Sequence, residues 1–160
     1  MSNTATEFDL TSQIHTTVSD VFDTMLGMTA TPDASVAIDT ERGRVTASIG
    51  IAGETVGGAV YIDFEEEFAV VVTGAMLGMA PEEIEDHAEV NDVVGELCNM
   101  VAGNLKSAIC DFGRICAVST PSIIRGTAFS VEALPKDSMR IFHFSADGRP
   151  FTVSVELKFK

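Results

Sequence analysis

The run His87-Ala-Glu-Val-Asn-Asp-Val-Val-Gly-Glu-Leu-Cys-Asn-Met-Val-Ala-Gly-Asn-Leu-Lys106, continued to Phe112, reads as one long helix with two unlike faces. At about 100° per residue, Val90, Val94, Leu97, Val101, Leu105, Ala108 and Phe112 fall on one apolar stripe. On the opposite side Asp92, Glu96, Asn99 and Gly103 form a second stripe that ends near Lys106. A solvated helix face ordinarily carries Lys, Glu, Gln and Ala. This one carries two acids, an amide and a glycine, with Gly95 beside them. Each interior glycine costs about 1 kcal/mol of helix stability relative to alanine. Two of them flanking a carboxylate and an amide imply that another body approaches closely there.

Outward from this helix, each side of the chain offers three strand patterns, without a convincing sequence repeat between them. On the N-terminal side, Asp9 is placed to cap a helix carrying Leu10, Ile14, Val18, Val21 and Met25, which ends among the breakers of residues 27–32. Three strands are predicted next, over Ser35–Asp39, Arg44–Ile51 and Thr55–Phe64. A second helix is predicted over Glu65–Met79, with acids in its first turn where they complement the dipole. Pro81 opens an acidic turn of Glu82, Glu83, Glu85 and Asp86. On the C-terminal side, Cys116–Arg125 is irregular or a strand, with Pro121 in it. Strands follow over Thr127–Leu134, Met139–Ala146 and Phe151–Phe159, joined by turns at Pro135–Ser138 and Ala146–Arg149. In the last strand Phe151, Val153, Val155, Leu157 and Phe159 alternate with Thr152, Ser154, Glu156 and Lys158, the pattern of a sheet with one buried and one wet face. Short turns imply antiparallel pairing. The expected class is α+β, an antiparallel sheet of two three-strand sets with helices on one face, forming one domain over residues 10–160 behind a flexible segment of residues 1–9.

Composition narrows the partners. The chain has 24 acidic residues against 10 Lys and Arg, a formal charge of −14. That disfavours nucleic acid, whose binding rests on basic side chains neutralising phosphates, and it disfavours anionic membranes. It suits docking onto a basic patch of another protein. No basic and apolar leader opens the chain and no apolar run reaches membrane-spanning length, so a cytoplasmic protein is expected. Cys98, Cys110 and Cys116 then read as free thiols with structural roles.

Self-contained catalysis is poorly supported. His15, His87 and His143 stand on separate elements, and no nucleophile motif accompanies them. The glycines at 50, 53, 57 and 58 lack the Lys-Ser/Thr ending and following helix of a phosphate loop. Asp92 and Glu96 could be imagined as a glycosidase pair, yet the chain has no Trp and one Tyr to stack a sugar against. A metal held by Asp92, Glu96 and Asn99 lacks a histidine or further acids. An acid and an amide on one exposed turn suit completion of another protein's active site better than independent chemistry.

Asp92-x-x-x-Glu96-x-x-Asn99, followed by Pro121 after a gap of 21 residues, resembles the signature of the CheC/CheX/FliY family of chemotaxis phosphatases. The phrase from Val94 to Lys106 is similar to the motif helix of that family, and the order of elements fits over roughly residues 10–160. The motif occurs once, as in the CheX branch; the helix over residues 10–28 has no Glu-x-x-Asn. The gap to the proline is a residue shorter than usual for the family. The resemblance implies a phosphatase for a CheY-like response regulator carrying an aspartyl phosphate. Asn99 would position the attacking water, and Glu96 would pair with the receiver's active-site lysine. Asp92, Gly95, Gly103 and Lys106 would contribute to partner binding, and Pro121 to positioning. The chain would hold no cofactor of its own, the Mg²⁺ belonging to the receiver. The resemblance also implies a homodimer through sheet edges. A non-catalytic CheX-like adaptor that docks a response regulator or another chemotaxis or flagellar protein is the alternative.

Overall fold

A computed structural model describes residues 7–135 and 138–160. The predicted flexible segment therefore lies mostly outside the described residues, as do the two central residues of the turn predicted at Pro135–Ser138. Helix α1 spans Leu10–Leu26, α2 Glu66–Leu77 and α3 His87–Asp111, with a 3₁₀ turn at Pro81–Glu83. The strands are β1 (Thr31–Pro32), β2 (Arg44–Ala52), β3 (Val56–Glu65), β4 (Ala117–Val118), β5 (Ser122–Gly126), β6 (Met139–Ala146) and β7 (Arg149–Phe159). All pair antiparallel in one seven-stranded sheet of order β1-β6-β7-β3-β2-β4, with β5 also on β2.

Local chemistry sets these boundaries. The Asp9 carboxylate accepts from the Ser12 N–H at 3.0 Å and caps α1, and Gly27 closes that helix at φ 63°. Asp147 and Gly148, both at positive φ, turn β6 into β7. Across the sheet the register lines up buried rows. Val45 faces Phe64, which faces Phe151, which faces Phe144. One step along, Ala47, Ile62, Val153 and Phe142 form the next row. The rows meet the apolar sides of the helices, where Phe22 stacks on Phe151 with ring centroids 4.5 Å apart. Gly58 lies against the β7 backbone so closely that a Cβ there would fall 1.8 Å from the Glu156 carbonyl oxygen.

Two predicted strands are corrected. Ser35–Asp39 and Thr127–Leu134 are not strands; both segments leave the sheet as loops. They cover part of its far face and, with the sheet, enclose a cavity lined among others by Ile38, Arg44, Asp63, Phe129 and Val131. The far face is accordingly not simply wet. Arg44 and Thr46 are buried there, Arg44 Nη1 donating to Asp63 Oδ2 at 2.6 Å and Thr46 Oγ1 to Asp63 Oδ1 at 2.6 Å. Arg44 also donates to the Phe129 carbonyl and lies over the Phe129 ring. A buried ion pair needs a roof, and the loops provide it in place of further strands. Alternation alone cannot distinguish the two, because a loop laid over a sheet also presents every second side chain inward.

Candidate functional site

Helix α3 is held by its apolar side. Val90, Val93, Val94, Leu97, Cys98, Val101, Ala102, Leu105 and Ile109 are buried, a wider band than the predicted stripe because α3 meets both the sheet and the other helices. Cys98 is central to that contact: its Sγ lies 3.7 Å from the Ala47 carbonyl oxygen and 3.8 Å from that of Val60. Burial pushes its thiol up to about 12, so it remains protonated and structural. At the N-terminus the Asp86 carboxylate accepts from the Ala88 N–H at 2.9 Å, which starts the helix cleanly.

Asp92, Glu96 and Asn99 are exposed on the opposite side. Among the described residues none of the three is engaged in a hydrogen bond or ion pair. A stiff helix therefore presents three uncommitted polar side chains, and its rigidity comes from the other face.

Beside them runs a shallow groove of about 370 Å³, lined by Asn91, Asp92, Gly95, Glu96, Pro121 and Ile123. Its second wall is Pro121 and Ile123, in the segment that covers the outer edge of β2. There β4 pairs with Ile51–Ala52 and β5 with Arg44–Ser48, so two short strands share one edge. Between them Ser119 bridges the gap, its N–H donating to the Gly50 carbonyl and its Oγ accepting from the Gly50 N–H, both at 2.9 Å. Pro121, which has no N–H to donate, sits in that break and turns toward α3.

The structure thus brings together Asp92, Gly95, Glu96 and Pro121 from the predicted set. Asn99, Gly103 and Lys106 continue C-terminally along α3, outside the groove lining. Gly95 and Gly103 differ. A Cβ at Gly95 would lie 3.4 Å from Pro121 Cγ and 3.8 Å from Ile123 Cδ1, so the close neighbour there is the chain's own proline. A Cβ at Gly103 would meet nothing within 4 Å, and that glycine leaves open space one turn beyond Asn99. Lys106 is half-buried near Cys116, where its charge lowers a thiol pKa that burial and the Cys110 thiol raise more strongly.

Sequence reasoning missed the clamp behind the groove. Arg125 on β5 donates from Nη1 to Glu66 Oε1 of α2 at 2.9 Å and from Nη2 to Asn91 Oδ1 of α3 at 2.7 Å. His87 Nε2 lies 3.4 Å from the same Glu66 oxygen. One of only ten Lys and Arg residues, four positions after the motif proline, Arg125 was the available signal. Among the described residues no group of three or more His, Cys, Asp or Glu side chains could hold a metal ion, and no helix is long and apolar enough to cross a membrane.

A helix held by its buried side thus bears Asp-x-x-x-Glu-x-x-Asn, and a strand-break proline is seated against it. The family model described as chemotaxis phosphatase CheX matches residues 45–145. The chain belongs to the CheX family. Its fold is close to those of solved relatives. A CheC-like superfamily protein from Shewanella sp. PV-4 is 28% identical, with a TM-score of 0.78 over 95% of this chain and 99% of that one. A chemotaxis protein CheX from Desulfovibrio desulfuricans is 28% identical, with a TM-score of 0.76 over 92% and 97%. The structure of the CheX–CheY–BeF3–Mg²⁺ complex from Borrelia burgdorferi shares the fold at 22% identity, with a TM-score of 0.70 over 95% and 99%. Among curated proteins, none matches this chain.

Proposed function

We propose that this CheX-family chain hydrolyses the aspartyl phosphate of a CheY-like response regulator by inserting the Asp92–Glu96–Asn99 face of α3 into the receiver's active site. The observation that carries the reading is that face itself: three exposed, uncommitted polar side chains on a helix anchored by the core. Among the described residues no group of three or more His, Cys, Asp or Glu side chains could hold a metal ion. Half of an active site on a rigid element suits a reaction whose other half belongs to the substrate protein. That the Borrelia burgdorferi protein of the same fold is seen in a complex with CheY and Mg²⁺ supports the choice of partner.

The chemistry asks little of this chain. An acyl phosphate is already activated, and the receiver's own Mg²⁺ and lysine neutralise the phosphoryl oxygens. The missing part is a water held in line with the scissile P–O bond. The Asn99 amide both accepts and donates, so it can orient that water by two contacts. The water oxygen bonds to phosphorus, the bond to the aspartyl oxygen breaks, and inorganic phosphate and a free carboxylate result, the water's proton leaving with phosphate or to solvent. Glu96, one turn earlier, pairs with the receiver's lysine and sets the docking register. Asp92 extends the acidic contact.

The test is phosphate release from a phosphorylated receiver. Asn99→Ala should lose the acceleration yet still bind the receiver, whereas Glu96→Lys should bind poorly. Both side chains are exposed, so neither change should lower Tm measurably. Equal release by the wild type, by Asn99→Ala and by the receiver alone refutes the enzyme reading and leaves an adaptor. A homodimer joined through sheet edges completes the proposal. Among the described residues no strand pairs with the outer edge of β6 over Met139–Phe142, which carries the exposed Ile141; light scattering on the purified chain decides it.

A further inference from the structure

We infer that Asn91 is a further partner-binding residue of this docking site, donating a hydrogen bond to a main-chain carbonyl of the docked receiver. This inference rests on the proposed function above. Asn91 precedes the motif, but it lines the groove with Asp92 and Glu96. Its amide orientation follows from chemistry. A guanidinium has donors only, so the atom that meets Arg125 Nη2 at 2.7 Å must be the amide oxygen. Arg125 is in turn fixed by Glu66, which also lies beside His87. The flip of Asn91 is therefore set by a three-residue clamp that joins α2, α3 and β5.

With its oxygen engaged, the amide has its Nδ2–H₂ left to offer, and among the described residues no acceptor meets it. The Asn91 side chain is half-buried at the rim, which limits its rotation without hiding it from a partner. The groove consequently shows a pattern: carboxylate acceptors at Asp92 and Glu96, and one oriented donor at Asn91. A carboxylate on the receiver opposite Asn91 would be repelled by the two acids beside it. A neutral acceptor is not, and the main chain supplies such an acceptor in any loop that lies along the groove.

The decisive variant is Asn91→Asp. It keeps size and shape and keeps an oxygen for Arg125, now charge-assisted, so the clamp survives. The donor is lost, and a carboxylate oxygen whose charge is paired with Arg125 takes its place. Binding is measured to a beryllofluoride-activated receiver, which reports docking independently of hydrolysis, together with phosphate release by the wild type. Asn91→Asp is expected to weaken binding by about three- to tenfold, the effect of one hydrogen bond, to change kcat less than about twofold, and to leave Tm unlowered. Arg125→Gln should weaken binding in the Asn91 protein, yet weaken it no further in the Asn91→Asp protein. Unchanged affinity for Asn91→Asp overturns the inference, as does a loss confined to kcat. If the wild type binds the activated receiver but releases no phosphate above the receiver's own rate, the phosphatase reading fails while the Asn91 comparison still stands or falls on affinity.

Discussion

Replacing Gly103 by alanine should make the protein more stable and a poorer phosphatase. A Cβ at Gly103 meets no atom within 4 Å, so the new methyl group has no clash to relieve. Removing an interior helical glycine returns about 1 kcal/mol, which for a chain of this length raises Tm by about 2–4 °C. Gly95 serves as the internal comparison. Its Cβ would lie in ordinary van der Waals contact with Pro121 at 3.4 and 3.6 Å, so Gly95→Ala should gain stability as well. In function the two should part. Gly103 follows Asn99 by one turn on the same face, and a methyl there stands where the receiver's backbone must approach. Displacing the receiver by about 1 Å at that point tilts Asn99 away from the water, and misplacements of that size cost on the order of a hundredfold in rate. Thermal melts and phosphate-release kinetics on the same preparations give both readouts. A variant that gains stability and keeps its full rate would show that Gly103 is not kept for close approach. A variant that loses stability would refute the open-space argument itself.

Two further outcomes follow from the interior. Asp63→Asn strips Arg44, whose side chain is 8% exposed, of its counter-charge and should cost about 1–3 kcal/mol at pH 7 in urea melts, less than a favourably charged buried pair would lose; an unchanged stability would show that the pair is dispensable. Burial raises the Asp63 pKa above its unfolded value despite Thr46 and Arg44, so its titration favours the fold below the ordinary Asp value, about 3.9, and that contribution is lost as pH rises through the raised value. The variant should lack this slope. Cys98, pushed up to about 12 and fully buried, should resist iodoacetamide at pH 8 in the native protein while the half-buried Cys110 is modified. Mass spectrometry after digestion separates the sites, and equal labelling would contradict the packing of α3.

How much of this was legible in the sequence depended on how local the cause was. The α3 stripe, the Asp9 cap, the Gly27 stop and the β7 alternation were all readable, because each is decided by residues a few positions apart. The exposed Asp92, Glu96 and Asn99 were readable for the same reason: helical spacing alone puts them on the face opposite Val94 and Leu97. The roof over Arg44 was not. Whether residues 35–39 and 127–134 extend the sheet or fold across it depends on an ion pair between β2 and β3, and on a Phe129 carbonyl 85 positions from Arg44. Gly95 was legible as a close-approach position but not as a seat for Pro121. The Arg125–Glu66–Asn91 clamp was invisible because its three members stand on three elements, and no periodicity links them.

The divided outer edge of β2 bears on how safely such a surface can be displayed. A long, flat edge strand beside a docking face would offer main-chain donors and acceptors to any extended segment, and encounter could pass into strand addition and irreversible association. Here the edge consists of a two-residue and a five-residue strand, parted by a serine bridge and a proline. A visitor at this rim finds the Pro121 ring and the carboxylates of α3 before it finds a usable ladder. On the proposed function, this chain meets its receiver through side chains, and an edge that cannot be zipped lets one receiver leave before the next arrives.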